Sequence, residues 1–257
     1  MSWTLLFDTA RPGWENMAID SALLDLADRE GAAFLRLYRW EPHCLSFGRH
    51  EPAARRYDRA RIAELGLDCV RRPTGGRAVW HGRELTYSAA APLRLFAGGG
   101  LREVYAALHS LLAAALRSLG AEAALAQAGS RSPHPAAGPC FQAPVGGEVL
   151  LEDRKVVGSA QLRQGSAFLQ HGSLLLEDDQ SLPRSLAGLA DAEAGETPLS
   201  ATLGRTVTYQ EAASAVVSEA ARRFPGLRRE TALPHEVRSA AALHASRFQD
   251  PAWTWQR

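Results

Sequence analysis

The stretch Arg154-Lys155-Val156-Val157-Gly158-Ser159-Ala160-Gln161 holds the only lysine of a 257-residue chain that otherwise draws its positive charge from arginine. Arginine pairs with carboxylates and covers surface at least as well, but it keeps its proton, and its planar fork cannot act as a compact ammonium. A single lysine therefore marks either a site that needs a small cation or drift in an arginine-biased chain. The neighbours favour the site. Val156 and Val157 read as a buried strand, and Gly158-Ser159-Ala160 is a run of small residues where backbone can approach a ligand closely.

Outward from this strand, Glu148 to Leu151, Lys155 to Leu162 and Ala167 to Leu176 read as consecutive strands of an antiparallel meander. Upstream, short strands are expected at Trp3 to Phe7, Phe34 to Trp40, Cys44 to Phe47, Leu67 to Arg71 and Glu84 to Ala91. Helical spacing of apolar residues predicts helices at Trp14 to Arg29, Asp58 to Leu65 and Leu101 to Leu119, the last closed by Gly120. Residues 127–139, rich in Ala, Gly, Ser, Pro and His, form an irregular segment that delivers Cys140. The acidic, alanine-rich run from Asp178 to Glu196 is a boundary, with helices beyond it at about Tyr209 to Arg223 and His235 to Phe248.

With 46% hydrophobic and 22% charged residues and a formal net charge of +1, the chain is an ordinary globular protein that gives no sign of binding nucleic acid. Its three cysteines, Cys44, Cys69 and Cys140, are odd in number and lack the spacing of a metal site, which points to a reducing compartment. No basic segment with an apolar run follows Met1, and no apolar stretch is long enough for a bilayer, so a cytoplasmic, membrane-free protein is expected.

Between Arg71 and His81 the run Arg71-Arg72-Pro73-Thr74-Gly75-Gly76-Arg77 makes a tight loop of unhindered backbone N–H groups, suited to a carboxylate, carbonyl or phosphate. Arg71-Arg72 reads either as flanking such a ligand or as a solvated pair. Cys44 and Cys69 sit in apolar strands and read as core, whereas Cys140 lies in the loop Gly138-Pro139-Cys140-Phe141. A thiolate attacks thioesters well, and a nearby ammonium both lowers the thiol pKa and steadies charge on the attacked carbonyl oxygen. The glycine loop, Lys155 and Cys140 together suit acyl transfer. His81 reads either as orienting a carbonyl or phosphate or as a satisfied strand-end residue. His171 reads as a strand residue with its polar tip near the site, and His109 as structural.

These segments resemble a known family. Arg71-Arg72-Pro73-Thr74-Gly75-Gly76-Arg77-Ala78-Val79, Glu84-Leu85-Thr86-Tyr87-Ser88, Pro139-Cys140-Phe141, Arg154 to Gln161 and Leu169-Gln170-His171-Gly172-Ser173 look like the biotin and lipoate protein ligase superfamily. Asn16-Met17-Ala18-Ile19-Asp20 is similar to its first helix, and the likeness runs in order from about residue 14 to 176. The cysteine-bearing segment resembles the octanoyltransferase branch of the LipM type. The alternatives are the ATP-dependent lipoate–protein ligases, which usually carry an Asn-Asp-Ile segment where this chain has Cys140 to Pro144, and amidotransferases that move the acyl group between lipoyl domains.

The resemblance implies an α/β (α+β) fold, a mixed, largely antiparallel sheet flanked by helices, with a catalytic core over residues 1–180 and a small helical C-terminal appendage over 181–257. It implies catalysis by Cys140 and Lys155, with Arg72, Thr74, Gly75, Gly76, His81, Gly158, Ser159 and His171 around the substrate. No metal or nucleotide is required. The implied donor is octanoyl acyl carrier protein. The implied acceptors are lipoyl domains such as the glycine cleavage H protein or the 2-oxoacid dehydrogenase E2. Acceptor recognition is expected to be electrostatic, an acidic lipoyl domain meeting the arginines.

Overall fold

The computed structural model describes residues 2–127, 147–190 and 194–256. In chain order the elements are β1 (Thr4–Arg11), α1 (Gly13–Glu30), β2 (Phe34–Trp40), β3 (Cys44–Phe47), α2 (Ala53–Arg56), α3 (Arg59–Glu64), β4 (Asp68–Arg71), β5 (Val79–His81) and β6 (Glu84–Pro92). There follow α4 (Leu101–Ser118), β7 (Ala124–Leu125), β8 (Val149–Leu151), β9 (Arg154–Lys155), β10 (Val157–Gln164), β11 (Ala167–Leu175), α5 (Ser181–Leu186) and α6 (Leu199–Leu203). The chain finishes with α7 (Tyr209–Arg223), β12 (Arg228–Glu230), α8 (His235–Ala242), α9 (Ala245–Gln249) and α10 (Pro251–Thr254).

Six strands form one mixed sheet in the order β10-β11-β6-β2-β1-β12. The β1 pairs with β2 and β12 are parallel, and the pairs from β2 through β6 and β11 to β10 are antiparallel. Strand alternation sends Leu35, Leu37, Leu85 and Tyr87 to one face, where α4 and α7 cover them. It sends Phe34, Tyr38, Ala90 and Leu169 to the other, where α1, α8 and α9 pack. Helix α1 lies between the sheet and α8, so it is buried nearly all round, including Asn16 and Asp20. It can begin at Gly13 only without a side chain: a Cβ there would stand 2.7 Å from Cys44 Sγ and 2.9 Å from Asp68 Oδ2.

The expected meander divides in two. Strands β8 and β9 form a hairpin in a small sheet with β7, while β10 and β11 belong to the large sheet. The chain changes partner at Val156: Lys155 pairs with Leu150, and Val157 with Leu174. Glu152 and Asp153, both in the left-handed region (φ 49° and 59°), make the tight hairpin turn, a conformation that matches strand twist but carries no Asn-Gly signal here.

The helix expected over His235 to Phe248 is broken into α8 and α9 at Leu243 and His244, where His244 Nε2 meets Asp25 Oδ2 at 2.9 Å and ties the break to α1. Besides its helices, the segment beyond residue 180 supplies β12 to the sheet edge. Among the described residues no helix is long and apolar enough to cross a membrane.

Arg71 and Arg72 are buried, which excludes a solvated pair. The Arg71 guanidinium donates to the carbonyls of Gly48, Arg49 and Glu51 on one side and of Trp253, Thr254 and Gln256 on the other, clamping the C-terminal segment against β4. Arg72 donates to the carbonyls of Ser46, Gly75 and Arg77 and to Ser46 Oγ, which shapes the glycine loop from within.

Candidate active site

A narrow pocket opens where β10 and β11 meet β5 and α1. Of the residues that the sequence singles out, Arg72, His81, Gly158, Ser159 and His171 line it. Gly172 shares the wall, and it is glycine because a Cβ would stand 2.4 Å from Ser159 Oγ and 2.6 Å from the Gly158 carbonyl oxygen. Thr74 stands behind His171, its Oγ1 2.6 Å from Nε2. Gly76, left-handed at φ 86°, backs onto Gly48, where a Cβ would meet the Gly76 carbonyl oxygen at 1.9 Å. Gly75 offers its carbonyl to Arg72 and faces open space. Cys140 lies outside the described residues.

Lys155 is 3% exposed, and its Nζ lies 2.5 Å from Glu148 Oε1, itself buried. Both charges leave water together, which limits the cost of burying either. Strand β9 leads into β10, so the Lys155 backbone stands three positions ahead of Gly158 in the pocket wall, while Lys155 itself is not among the residues that line the pocket.

Beneath the α1 side of the pocket lies a buried polar network. Asp20 accepts from His171 Nδ1 (2.9 Å), the Tyr38 hydroxyl (2.9 Å), the Ser88 hydroxyl (2.8 Å) and Arg36 Nη1 (3.0 Å). Burial by itself raises a carboxyl pKa, but the His171 hydrogen bond and the Arg36 charge outweigh it and hold Asp20 below its ordinary value. Nδ1 of His171 donates to this carboxylate, and Nε2 meets the Thr74 hydroxyl on the other side of the ring. Carboxylate, imidazole and hydroxyl thus run in a line from the α1 core to the glycine loop.

In a second group burial favours the neutral forms. Burial raises the Glu84 pKa well above the carboxylate range, and burial together with the Arg72 and His171 charges lowers the His81 pKa well below the imidazole range. Glu84 contacts the Thr86 and Ser173 hydroxyls and His81 Nδ1. Nε2 of His81 meets Ser46 Oγ at 2.6 Å, and its ring stacks on Trp40 at 4.0 Å. Both ring nitrogens of His81 are thus committed to protein partners, and the ring serves as pocket wall.

His109 does more than fill the α4 core: its Nε2 is 2.8 Å from Ser159 Oγ. Sequence reasoning passed over Asp20, Glu84 and Glu148 as site residues. For Asp20 a signal existed, since Asn16 and Asp20 interrupt an otherwise apolar helix face four residues apart. For Glu84 and Glu148, each at a strand entrance, nothing local distinguishes a buried partner from a solvated end.

A family profile described as the lipoyl protein ligase A/B catalytic domain matches residues 12–221. The curated octanoyltransferase LipM of Moorella thermoacetica is 44% identical over 183 residues, covering 68% of this chain and 65% of that protein, a little under two thirds of its length. The octanoyltransferase LipM of an Exiguobacterium species is 31% identical over essentially the full length of both, 100% and 99%. Among solved structures, a lipoate-protein ligase A bound with ATP superposes with a TM-score of 0.79 at 17% identity, covering 99% of each chain. A bi-partite lipoate protein ligase from Thermoplasma acidophilum superposes at 0.74 with 18% identity, covering 100% of this chain and 98% of that one. These structural likenesses concern the fold, and the profile and the relatives carry the assignment: the chain belongs to the lipoyl protein ligase A/B catalytic-domain family.

Proposed function

We propose that the chain is an octanoyltransferase that takes an octanoyl group from acyl carrier protein and passes it to a lysine amine of a lipoyl domain, in the cytoplasm. The observation that carries this reading is the burial of the chain's only lysine, paired with Glu148, on the strand that runs into the wall of a pocket with small-residue and aromatic lining. The likeness to the LipM octanoyltransferases supports it.

In this reading the Cys140 thiolate attacks the octanoyl thioester, a new C–S bond forms, and the carrier thiol leaves with a proton. The lipoyl-domain amine then attacks the acyl-enzyme, an amide forms, the Cys140 sulfur departs, and the amine gives up one proton. The Lys155 ammonium faces the oxygen that gains negative charge in both steps, where a pre-placed cation acts most strongly. His171, oriented by Asp20, and the glycine loop behind it fix the pocket around the acyl carbonyl. The acceptor is a lipoyl domain such as the glycine cleavage H protein or the 2-oxoacid dehydrogenase E2.

The test is incubation of the chain with octanoyl acyl carrier protein and an apo lipoyl domain without nucleotide, read by intact mass. Octanoylated domain, with a hydroxylamine-labile adduct on the chain that is absent from Cys140→Ala, is expected. Product formed only with ATP and free acid would overturn the proposal in favour of a ligase.

A further inference from the structure

On the α4 face of the sheet a run of hydrogen bonds crosses from the edge of β10 to the segment that holds Lys155's partner. Gln161 Nε2 donates to Gln170 Oε1 (2.8 Å), Gln170 Nε2 to the Tyr87 hydroxyl (2.7 Å), and Tyr87 is 2.7 Å from Ser159 Oγ. Ser159 Oγ is 2.8 Å from His109 Nε2, and His109 Nδ1 is 2.8 Å from the Gly147 carbonyl oxygen. The direction of every bond is fixed by its far end. A carbonyl only accepts, so Nδ1 carries the His109 hydrogen and Nε2 presents a lone pair. Ser159 must then donate to Nε2 and accept from Tyr87, so each hydroxyl gives once and receives once.

Ser159 and His109 do not form a nucleophilic dyad. Burial and the Lys155 charge push the His109 pKa down to about 3, which leaves a poor base, and the Tyr87 bond draws on the serine lone pair. The ring works as a strut. It is fully buried, packs tilted against Tyr105 with ring centres 3.9 Å apart, and adds a side-chain link between two points that are not backbone partners of each other, beside the backbone bonds that Val156 makes to Val149 and Leu175. One is Ser159 in β10, the outermost strand of the large sheet; the other is Gly147, adjacent to the Glu148 that pairs with Lys155 in the small sheet. The chain switches sheets between these points, at Val156, and the His109 ring spans that switch.

We infer that His109 is a positioning residue for acyl transfer, setting the place of the Lys155–Glu148 pair relative to the pocket wall at Ser159. This rests on the octanoyltransferase reading for its kinetic consequence but not for its structural one. Because Lys155 is the only lysine, protein labelled with ¹⁵Nζ,¹³Cε-lysine reports this one side chain.

The experiment compares His109→Leu, which removes both bonds, with His109→Gln, whose carboxamide carries a donor and an acceptor in place of the two ring nitrogens. In His109→Leu the Lys155 side-chain signal should shift, and kcat should fall about 10-fold or more while the KM for octanoyl acyl carrier protein changes little, as for a lost interaction felt in the transition state. His109→Gln should restore both. An unchanged lysine signal in His109→Leu, or a glutamine variant as impaired as the leucine one, overturns the inference. Should His109→Leu not fold, Ser159→Ala cuts the strut at its other end and is read in the same way. If wild type shows no transfer at all, the functional reading fails, and the lysine signal still decides whether the strut exists.

Discussion

Replacing Asp20 by Asn tests the network under the pocket. The carboxylate is completely buried and accepts from four donors, His171 Nδ1, the Tyr38 and Ser88 hydroxyls and Arg36 Nη1. Asparagine keeps the shape but removes the charge and turns one oxygen into an NH₂. Whichever way the amide is turned, that NH₂ meets donors. With NH₂ at the Oδ2 position, it faces both the Tyr38 hydroxyl and the His171 Nδ1 hydrogen. Arg36 keeps Asp8 at 2.7 Å, so one of its two carboxylate partners remains. Breaking one partner of a buried charge pair costs about 3–5 kcal/mol. At about 2–4 °C per kcal/mol for a chain of this size, Tm should drop by roughly 6–20 °C.

Acid gives an independent signature of the same carboxylate. Its folded pKa lies below the unfolded value, so its stabilisation is present above the unfolded pKa of about 3.9 and is lost as pH falls through the folded one. Urea unfolding of both proteins from pH 7 to pH 3 should therefore show the gap between wild type and Asp20→Asn shrinking below pH about 4. A variant within about 1 kcal/mol of wild type at pH 7, or a gap that does not change in acid, would refute the reasoning.

Lys155→Arg should lose about 100-fold in turnover while the ion pair with Glu148 keeps the fold, because the guanidinium fork cannot occupy the place of a compact ammonium; steady-state transfer assays check it, and near wild-type rates would return the lysine to drift. Glu84→Gln should behave oppositely to the Asp20 change. A raised folded pKa means that Glu84 contributes fully below the unfolded carboxyl pKa and progressively less as pH rises toward its folded value. The glutamine variant should therefore gain on wild type between pH 5 and pH 8 in urea unfolding, and a wild-type advantage that grows with pH would contradict a raised Glu84 pKa.

Local pattern made much of this protein legible. Strands Phe34–Trp40 and Cys44–Phe47 and helix Tyr209–Arg223 stand where the sequence places them, because alternation, helical spacing and punctuation by Gly and Pro act over a few residues. The same locality marked the motifs whose members Arg72, His81, Gly158, Ser159 and His171 meet in one pocket. It also marked Lys155, through its rarity alone. What escaped was whatever depends on a distant partner. The switch of sheets at Val156 follows from Leu150 on one side and Leu174 on the other. Strand β12 exists because β1 has an open edge, and Arg71 is buried because the last turn of the chain brings carbonyls to it. His109, an unremarkable helix residue in the sequence, gains its role from Ser159 and Gly147, 50 and 38 positions away. Periodicity reports which side of an element is apolar; only the folded chain decides which polar group a buried hydrogen finds, since that choice is made between residues the sequence keeps apart.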